Sequence, residues 1–460
     1  MSFGEQFVWG AATSSFQIEG GFDQDGRGAS IWDEFTRLPN RVMRNHGGEL
    51  ACDHRNRYRE DVKLMAQIGL KAYRFSIAWP RVMPDGTGSI SEQGLDFYSD
   101  LVDALLEHGI TPWVTLYHWD LPWSLHLRGG WLNPEISDAF EAYAEAVVKR
   151  LGDRVTHWMT INEPQVITCM GYADGSFAPG LKLSLKELCI VSKNLLLSHG
   201  KAVRVIRGIQ GERAQVGWAP VGVLTQPLEV KQAHVDAARQ ATFDVRAPGD
   251  HSPAQLRQTF WNSAWWMDPV YRGTFPEVAL QRFGNHIPRD FEQGLDIICQ
   301  PADFFAANIY ISEFAESDGN GGYRQVDPGP DTASNTMGWD ICPDALYWGA
   351  RFFHERYQLP IVVTENGIPQ TDLLVDGKVS DPNRIEFMSA YLKGLKQASR
   401  EGVPVHGYFY WSLMDNFEWS SGYKQRFGIV HVDYATQRRT LKQSAHWYGD
   451  VIRSNGAILG

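Results

Sequence analysis

Two segments of the sequence each end a run of apolar residues with a glutamate beside an asparagine. One reads Met-Thr-Ile-Asn162-Glu163 and the other Val-Val-Thr-Glu365-Asn366. Burying a carboxylate is costly unless it is hydrogen-bonded or paired with a cation. A single acid of this kind also fits the start of a helix, where the helix dipole favours negative charge. Two such acids, each beside an asparagine, favour one shared polar site.

Paired carboxyl groups that meet in one cavity suit glycoside hydrolysis. One carboxyl must be protonated, so that it can deliver a proton to the leaving oxygen, while the other must be ionised, to attack the anomeric carbon or to activate water. A separation of about 5–5.5 Å gives retention of configuration, and roughly 6.5–9.5 Å gives inversion. The residues alone leave this choice open.

Other polar and aromatic residues follow apolar runs and are suited to bind a sugar. Arg74 lies inside such a run, where a buried guanidinium needs an anion, and a carboxylate of the site is a natural partner. His118 taken alone is more typical of a structural histidine. Amides, imidazole and carboxylates can all bind hydroxyl groups. The residues of this group are Gln17, Glu19, Arg74, His118, Asp120, Asn308, Tyr310, Trp411, Glu418 and Trp419.

Short apolar runs alternate with amphipathic helices along the chain. Runs rich in β-branched and aromatic residues are typical of strands buried on both faces. Eight such strands separated by helices predict a closed (β/α)8 barrel, with a doubly wound open sheet as the alternative. The predicted strands are Phe7–Ala12, Ala72–Trp79, Thr111–His118, His157–Glu163, Gln215–Pro220, Phe304–Ile311, Ile361–Asn366 and Val405–Ser412.

Capping residues and long loops complete this prediction. Asn133 with Pro134 predicts the start of a helix, and Ser184 with Glu187 forms a capping box that opens another. No linker or repeat divides the sequence, so we expect residues 1–460 to form a single catalytic α/β domain, a TIM barrel. Long βα loops lie over the carboxyl-terminal face of such a barrel, where active sites are found. The longest candidates are residues 312–340 and 413–428.

The composition excludes several classes of function. The formal net charge of −11 argues against a nucleic-acid or anionic-membrane partner, and no apolar run is long enough to span a bilayer. Five cysteines without close spacing indicate a reduced chain, and the first residues lack a secretory pattern, so we expect a cytoplasmic location. Aromatic residues make up 12%, which fits core packing or sugar platforms.

The sequence carries no signature of a metal site or of acyl transfer. His46, His54, Cys52 and Asp53 lie close together, but their spacing matches no zinc pattern. A Gly-x-Ser-x-Gly nucleophile motif does not occur. We therefore expect neither a metal ion nor a cofactor.

Seven segments together resemble the family 1 glycoside hydrolases, in particular the bacterial β-glucosidases, and the resemblance covers essentially the whole chain. The segments are Phe7-Val-Trp-Gly-Ala-Ala-Thr13, Gln17-Ile-Glu19-Gly20, Arg74-Phe-Ser-Ile-Ala-Trp79, Tyr117-His118-Trp119-Asp120, Thr160-Ile-Asn162-Glu163-Pro164, Thr364-Glu365-Asn366-Gly367 and Asp415-Asn-Phe-Glu418-Trp419.

The resemblance implies a retaining exo-β-glycosidase that acts on cello-oligosaccharides and on aryl or alkyl β-glucosides. It implies that Glu365 is the nucleophile and Glu163 the general acid/base, supported by Arg74, Asn308 and Tyr310. It further implies two groups of binding residues. Those for the glycone are Gln17, His118, Trp119, Asn162, Trp411, Glu418, Trp419 and Phe427, and those for the aglycone are Trp339, Cys169 and Tyr172, of which the last two also fit simple packing.

Three other functions remain open at this point. A non-catalytic sugar-binding protein on the same scaffold would not need both acids, and a transglycosylase would share the covalent intermediate. A 6-phospho-β-glucosidase is disfavoured, because Glu418 would repel a phosphate. The sequence leaves open the preference among glucose, galactose and fucose, and the oligomeric state.

Overall fold

The computed structural model describes residues 2–460, and its centre is a sheet of eight parallel strands. We number these strands β1 to β8 along the chain, and they neighbour one another in the order β5-β4-β3-β2-β1-β8-β7-β6. All eight predicted strands are confirmed, although most are shorter than predicted. Their bounds are β1 Val8–Ala12, β2 Ala72–Ser76, β3 Thr111–Tyr117, β4 His157–Asn162, β5 Gln215–Ala219, β6 Phe305–Asn308, β7 Ile361–Asn366 and β8 Val405–Trp411.

Backbone hydrogen bonds close the sheet between β5 and β6. The amide of Asp303 donates to the carbonyl of Val216 at 2.9 Å, and the amide of Asn308 donates to the carbonyl of Pro220 at 3.0 Å. The carbonyl of Asn308 in turn accepts from Gly222 at 2.8 Å. The (β/α)8 barrel is therefore confirmed, and the open-sheet alternative is wrong.

Helices connect the strands and cover the barrel. Those of eight or more residues are His54–Ile68, Glu92–Glu107, Ile136–Leu151, Leu185–Gln210, Gln232–Thr242, Pro253–Phe260, Ala264–Arg272, Ala345–Tyr357, Pro382–Arg400 and Gln443–Arg453. Shorter α-helices are Ser15–Ile18, Ile31–Arg37, Trp79–Val82, Trp123–Leu127, Pro164–Val166, Glu277–Phe283 and Leu295–Ile298. Segment Ile167–Ala173 is a π-helix, and single 3₁₀ turns occupy Met43–Asn45, Gly130–Leu132, Gly211–Arg213, Gly284–His286, Trp419–Ser421 and Ala457–Leu459. Among residues 2–460, no helix combines the length and apolar character needed to cross a bilayer.

One of the two predicted helix starts is correct. Ser184 and Glu187 form the expected capping box at the start of Leu185–Gln210. The helix predicted to begin at Asn133 and Pro134 instead begins at Ile136. The side-chain oxygen of Asn133 accepts from the amide of Glu135 at 3.0 Å, so it holds a turn just before the helix.

The long loops contain short strands that the sequence did not reveal. Thr225–Pro227, Glu313–Ser317 and Tyr323–Val326 form a small sheet after β5 and β6, so part of the predicted loop 312–340 is regular structure. Val430–Val432 pairs with Arg439–Leu441 after β8. These elements follow the carboxyl ends of barrel strands and frame the opening there.

Large aromatic side chains fill the barrel at its amino-terminal end. The ring of Trp113 lies 5.3 Å from that of Phe304 and 4.9 Å from that of Phe409, and all three residues are buried. The rings fit because Gly217 and Gly10 leave space: a Cβ atom there would lie 2.3 Å from Phe304 and 2.4 Å from Phe409. We call Trp113, Phe304 and Phe409 the amino-end plug.

Candidate active site

Glu163 and Glu365 both lie at the carboxyl ends of barrel strands, and both are almost completely buried. Glu163 follows β4 with a left-handed backbone (φ 45°), a conformation that few non-glycine residues adopt. Its Oε1 accepts a hydrogen bond from Nδ2 of Asn308 at 2.9 Å. Glu365, within β7, accepts from Nη1 of Arg74 at 2.5 Å and from the hydroxyl of Tyr310 at 2.7 Å.

A continuous set of hydrogen bonds joins the two glutamates. Oδ1 of Asn162 accepts from Nη2 of Arg74 at 2.6 Å and from Nδ2 of Asn308 at 3.0 Å. Arg74 binds Glu365 and Asn308 binds Glu163, so Asn162 links both sides. These five residues, which we call the mouth cluster, come from four different strands and meet at one end of the barrel. The guanidinium thus has the carboxylate partner that the sequence predicted.

The two carboxyl groups have different electrostatic surroundings. Burial and the negative charge of Glu365 raise the pKa of Glu163 to about 8, although the Asn308 hydrogen bond and the Arg74 cation oppose that rise. Burial raises the pKa of Glu365 as well, but the Arg74 cation and the Tyr310 hydroxyl oppose that rise. Near neutral pH, the arrangement therefore favours a protonated Glu163 beside an ionised Glu365. This is the division of roles that acid-assisted nucleophilic displacement requires.

Gln17 and Glu418 form a second polar group at the mouth. Nε2 of Gln17 lies 3.3 Å from Oε2 of Glu418 and also donates to the carbonyl of Phe417 at 3.0 Å. Glu418 keeps some solvent exposure, yet its enclosed position and the charge of Glu365 raise its pKa to about 8. A carboxyl beside an amide offers adjacent acceptors and donors, as two neighbouring sugar hydroxyls would need.

His118 lies among aromatic rings and is neutral. Burial and the Arg74 cation lower its pKa well below the usual value. Its ring stacks at 5.7 Å from Trp411 and 5.9 Å from Trp419, and its Nε2 lies 3.2 Å from Nδ2 of Asn162. A neutral imidazole held between indoles can bind a hydroxyl without bringing a charge into the cavity.

Trp119 packs beside the aromatic rings that surround His118. Its indole N–H donates to the carbonyl of Asn162 at 3.0 Å, and its ring lies 4.6 Å from that of Trp419. The residue is buried with φ 79°, so the backbone turns sharply just after His118. Trp119 therefore fixes the strand end that carries Asn162.

Trp339 lies at the rim, on the side of Tyr310. Its ring is 5.7 Å from Tyr310 and 6.3 Å from Phe427, and the residue is partly exposed. Phe427 is buried beneath it. An indole in this position can stack on a group that extends outward from the mouth cluster.

Four residues expected at the cavity make contacts with the surrounding framework. Glu19 binds Arg81 at 3.0 Å and the hydroxyl of Tyr98, and Asp120 accepts from Ser15 at 2.7 Å. Both carboxyl groups make framework contacts, although Oδ1 of Asp120 has no hydrogen-bond partner within residues 2–460, so their place in the sugar pocket stays a prediction. Cys169 and Tyr172 are fully buried in the π-helix, where the Cys169 thiol faces the carbonyl of Arg257 at 3.3 Å. Both side chains are packed in the protein interior, as in the alternative that the sequence left open for them.

Two threonines that sequence reasoning missed hold the mouth cluster in place. Oγ1 of Thr364 donates to Oδ1 of Asn308 at 2.7 Å, and Oγ1 of Thr115 accepts from Nε of Arg74 at 3.1 Å. Each threonine lies within a barrel strand and projects to the interior. An inward polar residue in an apolar strand was the available signal, because a buried hydroxyl needs a partner.

The residues near Cys52 do not form a metal site. His54 binds Asp61 at 2.7 Å, and the Cys52 thiol donates to the carbonyl of Asp415 at 3.1 Å. Within residues 2–460, no three histidine, cysteine or acidic residues are grouped so as to hold a metal ion.

The sequence model of glycosyl hydrolase family 1 matches residues 1–457. The chain belongs to glycosyl hydrolase family 1. It is 41% identical to the 1,4-beta-D-glucan glucohydrolase of Thermotoga neapolitana over 456 residues, covering 99% of both chains. It is 42% identical to beta-glucosidase A of Acetivibrio thermocellus over 463 residues, again covering 99% of each.

Solved structures of the family agree with this fold. The beta-glucosidase from Thermotoga maritima in complex with glucoimidazole superposes with a TM-score of 0.89 at 40% identity, and 99% of each chain is covered. The same protein in complex with deoxynojirimycin gives a TM-score of 0.88. The predicted family, barrel and hydrolase class of this family 1 enzyme are thus confirmed.

Proposed function

We propose that this family 1 enzyme is a retaining exo-β-glucosidase that removes terminal β-D-glucosyl residues from cello-oligosaccharides and from aryl or alkyl β-glucosides. The observation that carries the proposal is the mouth cluster, in which burial and the charge of Glu365 raise the pKa of Glu163 while Arg74 binds the carboxylate of Glu365. Relatives named as beta-glucosidases match along the whole chain, which supports glucose as the sugar.

In the first step Glu365 attacks the anomeric carbon while Glu163 protonates the aglycone oxygen. Arg74 and Tyr310 keep the attacking carboxylate oriented and ionised. In the second step Glu163 is ionised and takes a proton from water, and this water releases the sugar from Glu365. The charge of Glu365 disappears in the covalent intermediate, which lowers the pKa of Glu163 and so matches its new role as a base.

We assign the glycone pocket to Gln17, His118, Asn162, Trp411, Glu418 and Trp419, supported by Trp119 and Phe427, and the aglycone platform to Trp339. Asn162 is bonded to Arg74, the partner of Glu365, so we assign it to the 2-hydroxyl beside the anomeric carbon, and we assign the separate pair of Gln17 and Glu418 to the 4-hydroxyl. Burial, the charge of Glu365 and the Gln17 amide are the influences on Glu418, and since none of them is a cation the position does not suit a phosphorylated sugar. Residues 1–460 would act as one catalytic domain, without metal or cofactor.

A panel of nitrophenyl glycosides of both anomers tests the proposal. We expect rapid hydrolysis of the β-glucoside, slower hydrolysis of the β-galactoside or β-fucoside, and none of the α-glucoside. Proton NMR during the first minutes should show β-glucose before mutarotation. Initial release of α-glucose would overturn the retaining mechanism, and binding of cellobiose without hydrolysis would identify a sugar-binding protein instead.

The biological setting follows from the proposed substrate. Hydrolysis of cello-oligosaccharides is the last stage of cellulose degradation, and we place the enzyme there. All five cysteines are free thiols, which supports a reducing and therefore cytoplasmic environment. Activity and immunoblotting in fractionated cells of the source organism would test this location.

A further inference from the structure

The loop that carries Glu418 and Trp419 is closed at its base by one carboxylate. We call residues 415–428 the glycone loop. Oδ2 of Asp415 accepts from Nη1 of Arg426 at 2.5 Å, and Oδ1 accepts from the amide of Gly428 at 3.1 Å. The side chain at the first position of the loop therefore binds two residues at its last positions.

The backbone shows the same closure independently. A Cβ atom on Gly428 would lie 2.0 Å from the amide nitrogen of Asp415, so only glycine allows the two ends to approach this closely. The amide of Asp415 also donates to the carbonyl of Val430 at 2.9 Å. Fourteen residues are thus held as a loop with a narrow base, and this base sets where the two ends of the loop leave the barrel.

Lys442 connects this base to the rest of the protein. Its ammonium group is fully buried and donates to Oδ1 of Asp415 at 2.6 Å and to Oδ2 of Asp372. Asp372 also binds Arg384 at 2.9 Å, and Arg384 donates to the carbonyl of Arg426 at 2.8 Å. These buried charged residues, which we call the base network, therefore contact both ends of the glycone loop: Lys442 binds Asp415, and Arg384 binds the carbonyl of Arg426.

Stability alone is a weak explanation for this network. It contains three cations, Arg384, Arg426 and Lys442, against three carboxylates, Asp372, Asp381 and Asp415. Taking such charges out of water offsets most of their attraction, and well-packed apolar residues are often as stable. What a buried, directional pair does provide is a fixed geometry.

We propose that Lys442 is a positioning residue that fixes the glycone loop and thereby determines how strictly the enzyme recognises the 4-hydroxyl of the sugar. The inference rests on the proposed function, in which Gln17 and Glu418 bind that hydroxyl. Glu418 is three residues from Asp415, its side chain lies 3.3 Å from Nε2 of Gln17, and the amide of Phe417 donates to the carbonyl of Gln17 at 3.1 Å. The base of the loop and Gln17 therefore set its position together. Asn162, which faces the 2-hydroxyl, is held by Arg74 and Asn308 and does not depend on the loop.

The test compares kcat/KM for nitrophenyl β-glucoside with that for its 4-deoxy and 2-deoxy analogues. In Lys442→Met, we expect kcat/KM for the glucoside to fall about tenfold, since small misplacements weaken directional contacts strongly. We call the factor by which removing a hydroxyl lowers kcat/KM the deoxy penalty for that hydroxyl. The 4-deoxy penalty should shrink about fivefold or more, whereas the 2-deoxy penalty should stay within about twofold of wild type.

Lys396→Met is the matched control. Lys396 is also buried, but it donates to the carbonyls of Gly456 and Gly460, far from the glycone loop in sequence and contacts. Both deoxy penalties should remain at wild-type values in this variant. Arg426→Met is a second variant that removes the less buried cation on Asp415, and it should repeat the effect of Lys442→Met if the latter does not fold.

The outcomes distinguish failure of the positioning role of Lys442 from failure of the proposed function. A folded variant of Lys442 or Arg426 with unchanged 4-deoxy penalty overturns the positioning role, as does an equal loss of both penalties. Absence of β-glucoside hydrolysis by the wild-type protein would instead overturn the proposed function, and the inference would fall with it.

Discussion

The two ends of the barrel are filled by opposite kinds of side chains. At the amino-terminal end, the plug of Trp113, Phe304 and Phe409 packs ring against ring. At the carboxyl-terminal end, the mouth cluster consists of Arg74, Asn162, Glu163, Asn308 and Glu365, each hydrogen-bonded to another member.

This difference separates stability from reactivity within one fold. Burial of apolar surface in the plug stabilises the folded state. Burial of charge in the mouth cluster costs free energy and is tolerated because each charge has partners. Replacements in the plug should therefore lower stability and leave the activity of the folded protein unchanged, whereas replacements in the mouth cluster should change the activity itself.

The largest effect is expected at the proposed nucleophile. Glu365→Ala should lower kcat for nitrophenyl β-glucoside by about 10⁴-fold or more, because the covalent path is lost. Its free energy of unfolding should fall as well, because the buried Arg74 guanidinium loses its carboxylate partner, so activity is compared on the folded protein. Steady-state kinetics and urea denaturation measure both, and more than a few per cent of residual activity would contradict the assignment.

The second-largest loss of activity is expected at Glu163, and its size depends on the leaving group. Glu163→Ala should lower kcat/KM by about 10²–10⁴-fold for an alkyl glucoside that needs protonation, and much less for dinitrophenyl glucoside. Added azide should restore turnover of the activated substrate and yield the β-azide. An α-azide product would exclude a retaining mechanism.

A loss of stability without a loss of activity is expected in the amino-end plug. Phe409→Ala should lower the free energy of unfolding by about 3–5 kcal/mol, because it removes a buried ring and leaves a cavity. At 25 °C, kcat and KM of the folded protein should stay within about twofold of wild type. A large loss of activity in the folded variant would break the separation between the two ends.

A smaller change tests the electrostatics of the mouth cluster. The Tyr310 hydroxyl lowers the pKa of Glu365, so Tyr310→Phe should raise that pKa and move the acidic limb of the kcat/KM profile upward by about one pH unit. The basic limb, which reports Glu163, should move little. A shift of the acidic limb to lower pH would have the wrong sign.

The smallest effect is expected at Cys169 and Tyr172. Both side chains are buried in the π-helix, so Cys169→Ala and Tyr172→Ala should leave the curve of inhibition by glucose unchanged. Progress curves at increasing glucose concentration measure this. A changed inhibition constant in a folded variant would return these residues to the pocket.

Local sequence patterns predicted the framework well. Eight apolar runs became the eight barrel strands because a strand buried on both faces needs continuous hydrophobicity. Strand ends were less well predicted. The second run was expected to reach Trp79, yet β2 ends at Ser76 and a short helix with Pro80 in its first turn follows. Proline in a first turn costs no hydrogen bond, so the helix could form there.

Contacts between distant residues were harder to predict. Glu19 and Asp120 have the same chemistry as Glu418, and only the fold shows that they bind Arg81 and Ser15. The supporting roles of Thr115 and Thr364 were not predicted either, since an inward hydroxyl indicates that a partner is needed but not which residue of another strand supplies it.

By itself, the sequence determined the strands, the family and the two glutamates as candidates, because these depend on residue type, local periodicity and motif. Only the tertiary structure showed which groups raise or lower the pKa of each carboxyl group and which polar residues are joined by hydrogen bonds at the mouth. The pKa of a buried group depends on charges and donors brought from other strands, and that arrangement exists only once the barrel has closed.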